Sequence, residues 1–365
     1  MCSFIRIFAG SYVNMVTKQM KERDLSWDFV KLVLMFLIVF GHFCPAGEGW
    51  TPVTRIVGLC AIPGFFFVSG YFQSRITSGA DFVGKLRKTL LRIVVPMAVW
   101  GLLYVLANVV QMYFNGEITD VRGAVQFLKY SPFYVAGIFW FLTALLMCIV
   151  VGSLLSWAVS KHKPTGLVLT ALSPLCFCLV SQPVMEKYHF SFIWLFYVMG
   201  MLFRHVRRSS SPVWGWLALV AFVVITIIGV GYEPQHTFYY ESNVVSESSV
   251  GFIVSRYVLY IAATTSVIYG LLWFYARYKE NRLVNRLAQV GVDTLFIYCS
   301  HVLVLVILYR PYVQPYLFFG EGWPAHVAEH AVGLVVSLVV YWLMQWLCTW
   351  CKQFRWLRMV LMGTK

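Results

Sequence analysis

Charge is what this chain has least of. Only 12% of its 365 residues are Asp, Glu, Lys or Arg, against 60% hydrophobic. Soluble domains carry about a quarter of their residues as charges, so an ordinary soluble protein is excluded despite a length that would accommodate two such domains. Acidic residues are scarcer still, 15 against 29 basic ones, for a net charge of +14. No Gly-x-x-x-x-Gly-Lys-Ser/Thr loop occurs, which removes the signature of a conventional nucleotide hydrolase. Internal repeats, low-complexity tracts and an appended soluble domain are also missing, so an active site has to be made of apolar helices and short loops. Nine cysteines are present, but Cys348 and Cys351 form a Cys-x-x-Cys with no second pair beside it. Cys60, Cys148, Cys176, Cys178 and Cys299 fall within apolar runs, where a thiol acts as a small hydrophobe. No metal site is expected. Residues 1–22 lack a convincing signal peptide, because the apolar stretch from Phe4 to Ala9 is short and Arg6 interrupts it.

What is present is a series of apolar segments near 27–43, 55–74, 92–112, 138–159, 165–182, 190–204, 212–231, 250–276, 291–310 and 327–350. Each matches the length needed to cross a bilayer, so the expected fold is an all-α polytopic membrane protein of about ten transmembrane helices. With the N-terminus inside, the cytoplasmic segments hold 22 of the 29 lysines and arginines. The loop 232–249 on the other face holds Glu233, Glu241 and Glu247 and no basic residue. The positive-inside rule therefore puts both termini in the cytoplasm. Residues 1–22 are expected as a cytoplasmic lead-in, 23–350 as the membrane domain and 351–365 as a basic cytoplasmic tail. The basic residues are scattered over short membrane-flanking segments, which suits anionic lipid headgroups and excludes a nucleic-acid-binding module.

Two passages carry chemistry: Arg23-Asp-Leu-Ser-Trp-Asp-Phe-Val-Lys31 running on to Gly41-His42, and Pro63-Gly-Phe-Phe-Phe-Val-Ser-Gly-Tyr-Phe72. The first places a cation and an imidazole inside one span, where ionisable groups are costly and usually functional. Lys31 and His42 are eleven residues apart, which on an α-helix brings them within about 20° of one face and roughly 16 Å apart along it. Lys31 has two further accounts: it can snorkel to the interface, or pair with Asp28 one turn away. Ser69 and Gly70 follow three phenylalanines and read as a close-packing site. No Gly-x-Ser-x-Gly elbow surrounds Ser69 to make it a nucleophile. His301 sits about ten residues into the ninth span, where an imidazole needs a polar partner; a structural hydrogen bond and a catalytic role stay equally open. Glu329 and His330, with His326 one turn before, read as rim residues at the outer start of the tenth span.

Taken in order, Lys31-x10-His42 with Asp28, the aromatic Phe65-Phe-Phe-Val-Ser-Gly70, Arg92-Ile-Val-Val-Pro96, Trp140-Phe-Leu142 and Leu295-Phe-Ile-Tyr-Cys-Ser-His301 resemble the acyltransferase-3 family of integral membrane acyltransferases. One departure is visible. The family usually has Arg-x-x-Arg entering its third helix, whereas Thr89 stands three before Arg92, flanked by Arg87 and Lys88. The resemblance implies transfer of an acetyl or other small acyl group from cytoplasmic acyl-CoA, acetyl-CoA first, to a hydroxyl of a glycan or lipid-linked sugar. It implies a bacterial cytoplasmic membrane. His42 would be the general base, since imidazole takes up a proton near neutral pH, with His301 beside the acyl site. Lys31, Arg87, Lys88 and Arg92 would bind the phosphates of coenzyme A, Asp28 fixing Lys31. In the acidic outer loop, Tyr239, Tyr240 and Glu241 offer ring faces and a carboxylate to a sugar. The rival readings are a multi-pass transporter, whose intramembrane charges line a path, and a non-catalytic partner in polysaccharide assembly.

Overall fold

The computed structural model describes residues 24–44, 57–118, 120–179, 190–204, 212–232, 250–317 and 323–363. All their regular structure is helical. The chain runs through α1 (Leu25–Phe43), α2 (Ile62–Tyr71), α3 (Gly79–Thr89), α4 (Val95–Phe114), α5 (Val121–Ile138), α6 (Trp140–Lys161), α7 (Lys163–Leu179) and α8 (Phe190–Phe203). It continues through α9 (Pro212–Tyr232), α10 (Val250–Tyr278), α11 (Arg282–Val290), α12 (Thr294–Val304), α13 (Trp323–Cys351) and α14 (Arg355–Met362). Every apolar segment of the sequence coincides with a helix. Six helical stretches are long and apolar enough to cross a bilayer, and three shorter apolar helices accompany them. The molecule is thus an all-α integral membrane protein.

The axis of the fold is α1. Asp24 caps it, accepting from the Ser26 amide at 3.0 Å. Asp28 in its first turn and His42 in its last match the polarity of the helix dipole. Val30, Leu34 and Val39 are completely buried, because α1 is packed on several sides by α2, α10, α11, α12 and α13. A helix buried all round, rather than along one stripe, belongs to the centre of a bundle.

Small residues set the other close contact, between α2 and α8. A Cβ added at Gly70 would collide with the Tyr197 carbonyl, and one at Gly200 with the Phe67 carbonyl. Backbones approach this closely only where side chains are absent. Ser69 turns its hydroxyl to the Phe65 carbonyl at 2.8 Å, so it serves the helix. Below it, buried Gln73 ties three helices together: it donates to Ser153 at 3.0 Å and accepts from the Tyr197 hydroxyl at 2.6 Å, while Arg204 grips its carbonyl.

Four helices, α3, α5, α11 and α14, lie outside the apolar segments. The region expected as a loop before the fourth span contains α5, capped by Asp120 on the Gly123 amide at 2.8 Å. Short amphipathic helices α11 and α14 occupy two stretches read from sequence as basic flanks, so the 351–365 segment is folded over most of its length. The expected span at 92–112 is part of a longer rod, in which α3 and α4 are joined by a π-helical turn, Leu90–Val94. Pro96 follows in the first turn of α4, where its missing N–H costs least, and the wider turn absorbs the change in register.

Candidate active site

The two ends of α1 carry different chemistry. At the amino end Lys31 pairs with Asp28 at 2.6 Å; Asp28 is 2% exposed and the lysine side chain 20%. Gly291 rests on the Asp28 carbonyl so closely that any Cβ there would clash. Two residues on, Asp293 begins α12 without capping it. Its carboxylate instead takes Lys352, just past the end of α13, at 2.5 Å and the Gln345 amide of α13 at 3.1 Å. Two buried carboxylates, each holding a lysine, therefore lie on neighbouring elements. Sequence reading found the first pair and missed the second.

The carboxyl end has no such pairing. His42 sits exposed in the last turn of α1, with its ring centroid 5.4 Å from that of His301. His301 is completely buried. Its Nδ1 lies 3.0 Å from the Ile297 carbonyl, an acceptor that can only receive a proton, so Nδ1 carries the hydrogen and Nε2 keeps a lone pair. That Nε2 is buried without a hydrogen-bond partner among the described residues. The ring contact continues away from the histidines through Tyr298 at 5.6 Å and Phe141 at 5.2 Å beyond it, to Phe66 at 4.9 Å. Three of the sequence motifs, on α2, α6 and α12, thus meet in one aromatic wall that ends at His301.

Charge returns around this end from two directions. Arg310 follows the π-helical turn Leu305–Tyr309, is exposed, and lies near enough for its charge to act on His42. Glu329, which the hydropathy pattern leaves at a rim, is only 2% exposed and acts through its charge on Cys44. Tyr309 closes the end by donating to the Phe43 carbonyl at 2.6 Å.

The basic approach lies on α3 and its π turn. Arg87, Lys88 and Arg92 are exposed, while Thr89, where the family usually places an arginine, is 5% exposed and faces the protein. Helix α12 stands between this rod and α1: its Phe296 meets Trp100 of α4 edge-on at 5.2 Å, and Gly291 just before it meets Asp28. Tyr239, Tyr240 and Glu241 lie outside the described residues. Among the described residues no group of three His, Cys, Asp or Glu side chains is arranged to hold a metal.

A family profile described as an acyltransferase domain matches residues 24–347. Among curated proteins, the chain is similar to the nodulation protein NolL of Mesorhizobium japonicum, 22% identical over 323 residues covering 83% of this chain and 80% of that protein. It is also similar to the protein of the same name from Sinorhizobium fredii, 22% identical over 204 residues, 52% of this chain and 51% of that one. No solved structure matches. The profile takes in every motif that meets at the two ends of α1, from Asp28 to His301, and the chain belongs to the acyltransferase-3 family: it is an integral membrane O-acyltransferase.

Proposed function

We propose that the protein transfers an acetyl or similarly small acyl group from acyl-CoA, held at the Lys31 end of α1, to a hydroxyl of a glycan or lipid-linked sugar at the His42 end. The single observation that carries this reading is the exposed His42 ring lying against buried His301, whose Nε2 has no hydrogen-bond partner among the described residues. A general base needs an accessible lone pair and a fixed ring. In the reaction, the acceptor hydroxyl gives its proton to His42 as its oxygen attacks the thioester carbonyl. The carbon–sulfur bond then breaks, and the leaving thiolate of coenzyme A takes up a proton. His301, locked by its bond to Ile297, fixes the ring against which His42 works. Arginine and lysine at positions 87, 88 and 92, with Lys31 held by Asp28, meet the phosphates of the donor.

The excess of basic residues at the Lys31 end supports a ten-span arrangement in a bacterial cytoplasmic membrane with both termini inside. The donor is then cytoplasmic, the acceptor approaches from the other face, and Tyr239, Tyr240 and Glu241 contact the acceptor. Membrane lipids surround the bundle. The test is His42→Ala, assayed with labelled acetyl-CoA in membranes carrying equal amounts of each protein. Transfer should fall at least about a hundredfold, the usual contribution of a positioned base. Turnover near that of the wild type would remove His42 from the mechanism.

A further inference from the structure

The last helix is docked onto the basic rod by contacts that leave little freedom. Trp100 of α4 donates its indole N–H to the Leu361 carbonyl at 3.2 Å, and Met362 is 7% exposed. Gly363 then turns the chain with φ of 62°, and a Cβ there would collide with the backbone of Arg92. Only glycine meets both demands, a left-handed conformation and an absent side chain. The end of α14 is thereby set directly on the arginine that opens α4.

This brings more positive charge to a place that already has an excess. Lys85, Lys88 and Arg92 are spaced three and four apart, and the charges of Lys88 and Arg92 act on Lys85. Arg358 adds a guanidinium from α14, and its Nε is buried with no hydrogen-bond partner among the described residues. Both ion pairs between described residues, Lys31–Asp28 and Lys352–Asp293, lie elsewhere. An unmatched buried donor on a helix whose end is set on the Arg92 backbone is costly until an anion arrives.

We propose that α14 forms one wall of a phosphate site and that Arg358 joins Lys85, Lys88 and Arg92 in holding the phosphates of the acyl-CoA donor. The proposal rests on the donor assignment above and adds to it an element at the far end of the chain. A phospholipid headgroup shares this phosphate chemistry, so the test separates the two sources.

Full-length protein is placed in nanodiscs of phosphatidylcholine alone, or of phosphatidylcholine with phosphatidylglycerol, and titrated with acetyl-CoA. Arg358→Ala should weaken binding about tenfold or more in both lipids, with the loss shrinking at high salt and Arg358→Lys recovering part of it. Wild-type affinity in Arg358→Ala, alongside a clear loss in Arg92→Ala, would overturn the role of α14 and leave the donor assignment standing. Failure of the wild-type protein to bind acetyl-CoA at all would overturn both. A dependence on Arg358 seen only with phosphatidylglycerol would assign the site to lipid and overturn the proposal. A measurement on the wild-type protein covers the case in which the variant does not fold. Saturating adenosine 3′,5′-bisphosphate should slow tryptic cleavage after Arg355 and Arg358 severalfold, and an unchanged rate would count against the proposal.

Discussion

The two ends of α1 face different surroundings: beside its amino end the buried charges are matched, and beside its carboxyl end a buried nitrogen on α12 is unmatched among the described residues. Asp28 holds Lys31, and next to it Asp293 holds Lys352 and Gln345. At the other end His301 satisfies Nδ1 on Ile297 and leaves Nε2 buried without a partner among the described residues, beside an exposed His42. In a membrane interior an unpaired charge is far costlier than an unpaired imidazole nitrogen, so the first must be neutralised locally and the second can be tolerated. Matched charges fix helices in register; an unmatched lone pair stays available. On the proposed function, the difference separates scaffold at one end of α1 from chemistry at the other.

Removing one member of a matched pair should have the largest effect. Asp293→Ala strands Lys352, and since that lysine side chain is 26% exposed, the expected loss is about 3 kcal/mol, near the lower limit for broken buried pairs. It would be read as a lowered unfolding temperature in detergent. Asp293→Leu combined with Lys352→Met should restore most of the stability, because a matched apolar pair of similar volume is often neutral. If the double variant is as unstable as the single one, the pair is not what holds α12 to α13.

At the unmatched end the order of effects should reverse. His301→Phe fills the same space without a buried polar atom, so stability should hold or rise slightly, whereas transfer should fall about tenfold or more as His42 loses its neighbour. Measuring unfolding temperature and turnover on the same preparation checks this. Lost stability with intact turnover would make His301 a structural residue and erase the contrast between the two ends. Lys31→Ala should fall between these cases, raising the apparent Kd for acetyl-CoA several-fold in a salt-dependent way. Equal affinity in wild type and variant would leave Lys31 as an anchor for Asp28 alone.

Much of this was legible in the sequence for a physical reason. A bilayer demands long apolar helices, so hydropathy alone located the six bilayer-length helices and three shorter apolar ones found among the described residues, and helical periodicity alone aligned Lys31 with His42. The same windows cannot see α3, α5, α11 or α14, which are amphipathic or too polar to register as spans. Nor can periodicity reach the partner of Asp293, which lies 59 residues away on another helix. Hydropathy places Glu329 near the start of its helix, but the depth of a residue along its own helix does not tell what covers it from others, and Glu329 is only 2% exposed. The meeting of Phe66, Phe141, Tyr298 and His301 is likewise tertiary, although the phenylalanine-rich motif, Trp140-Phe-Leu142 and the His301 motif had each been noticed separately.

The smallest expected effect concerns which end meets the acceptor, and it sharpens the comparison by giving its two ends a side. If the His42 end opens to the outside, the acidic loop 232–249 lies on the same face. Replacing Tyr239 and Tyr240 by alanine should then raise the acceptor's KM by a few-fold, since each ring offers a sugar only a flat apolar surface. The Kd for acetyl-CoA should not move, because the proposed donor site lies at the other end of α1. Ser242→Cys supplies an independent check on topology: compared with the parent protein, it should gain labelling by an impermeant thiol reagent in intact cells. Labelling gained only after lysis would invert the membrane orientation and bring the His42 end to the cytoplasm, so donor and acceptor would no longer be divided between the two ends. Labelling in intact cells with unchanged acceptor kinetics would keep the orientation and move acceptor recognition away from this loop, towards the charged residues around His42, Arg310 and Glu329.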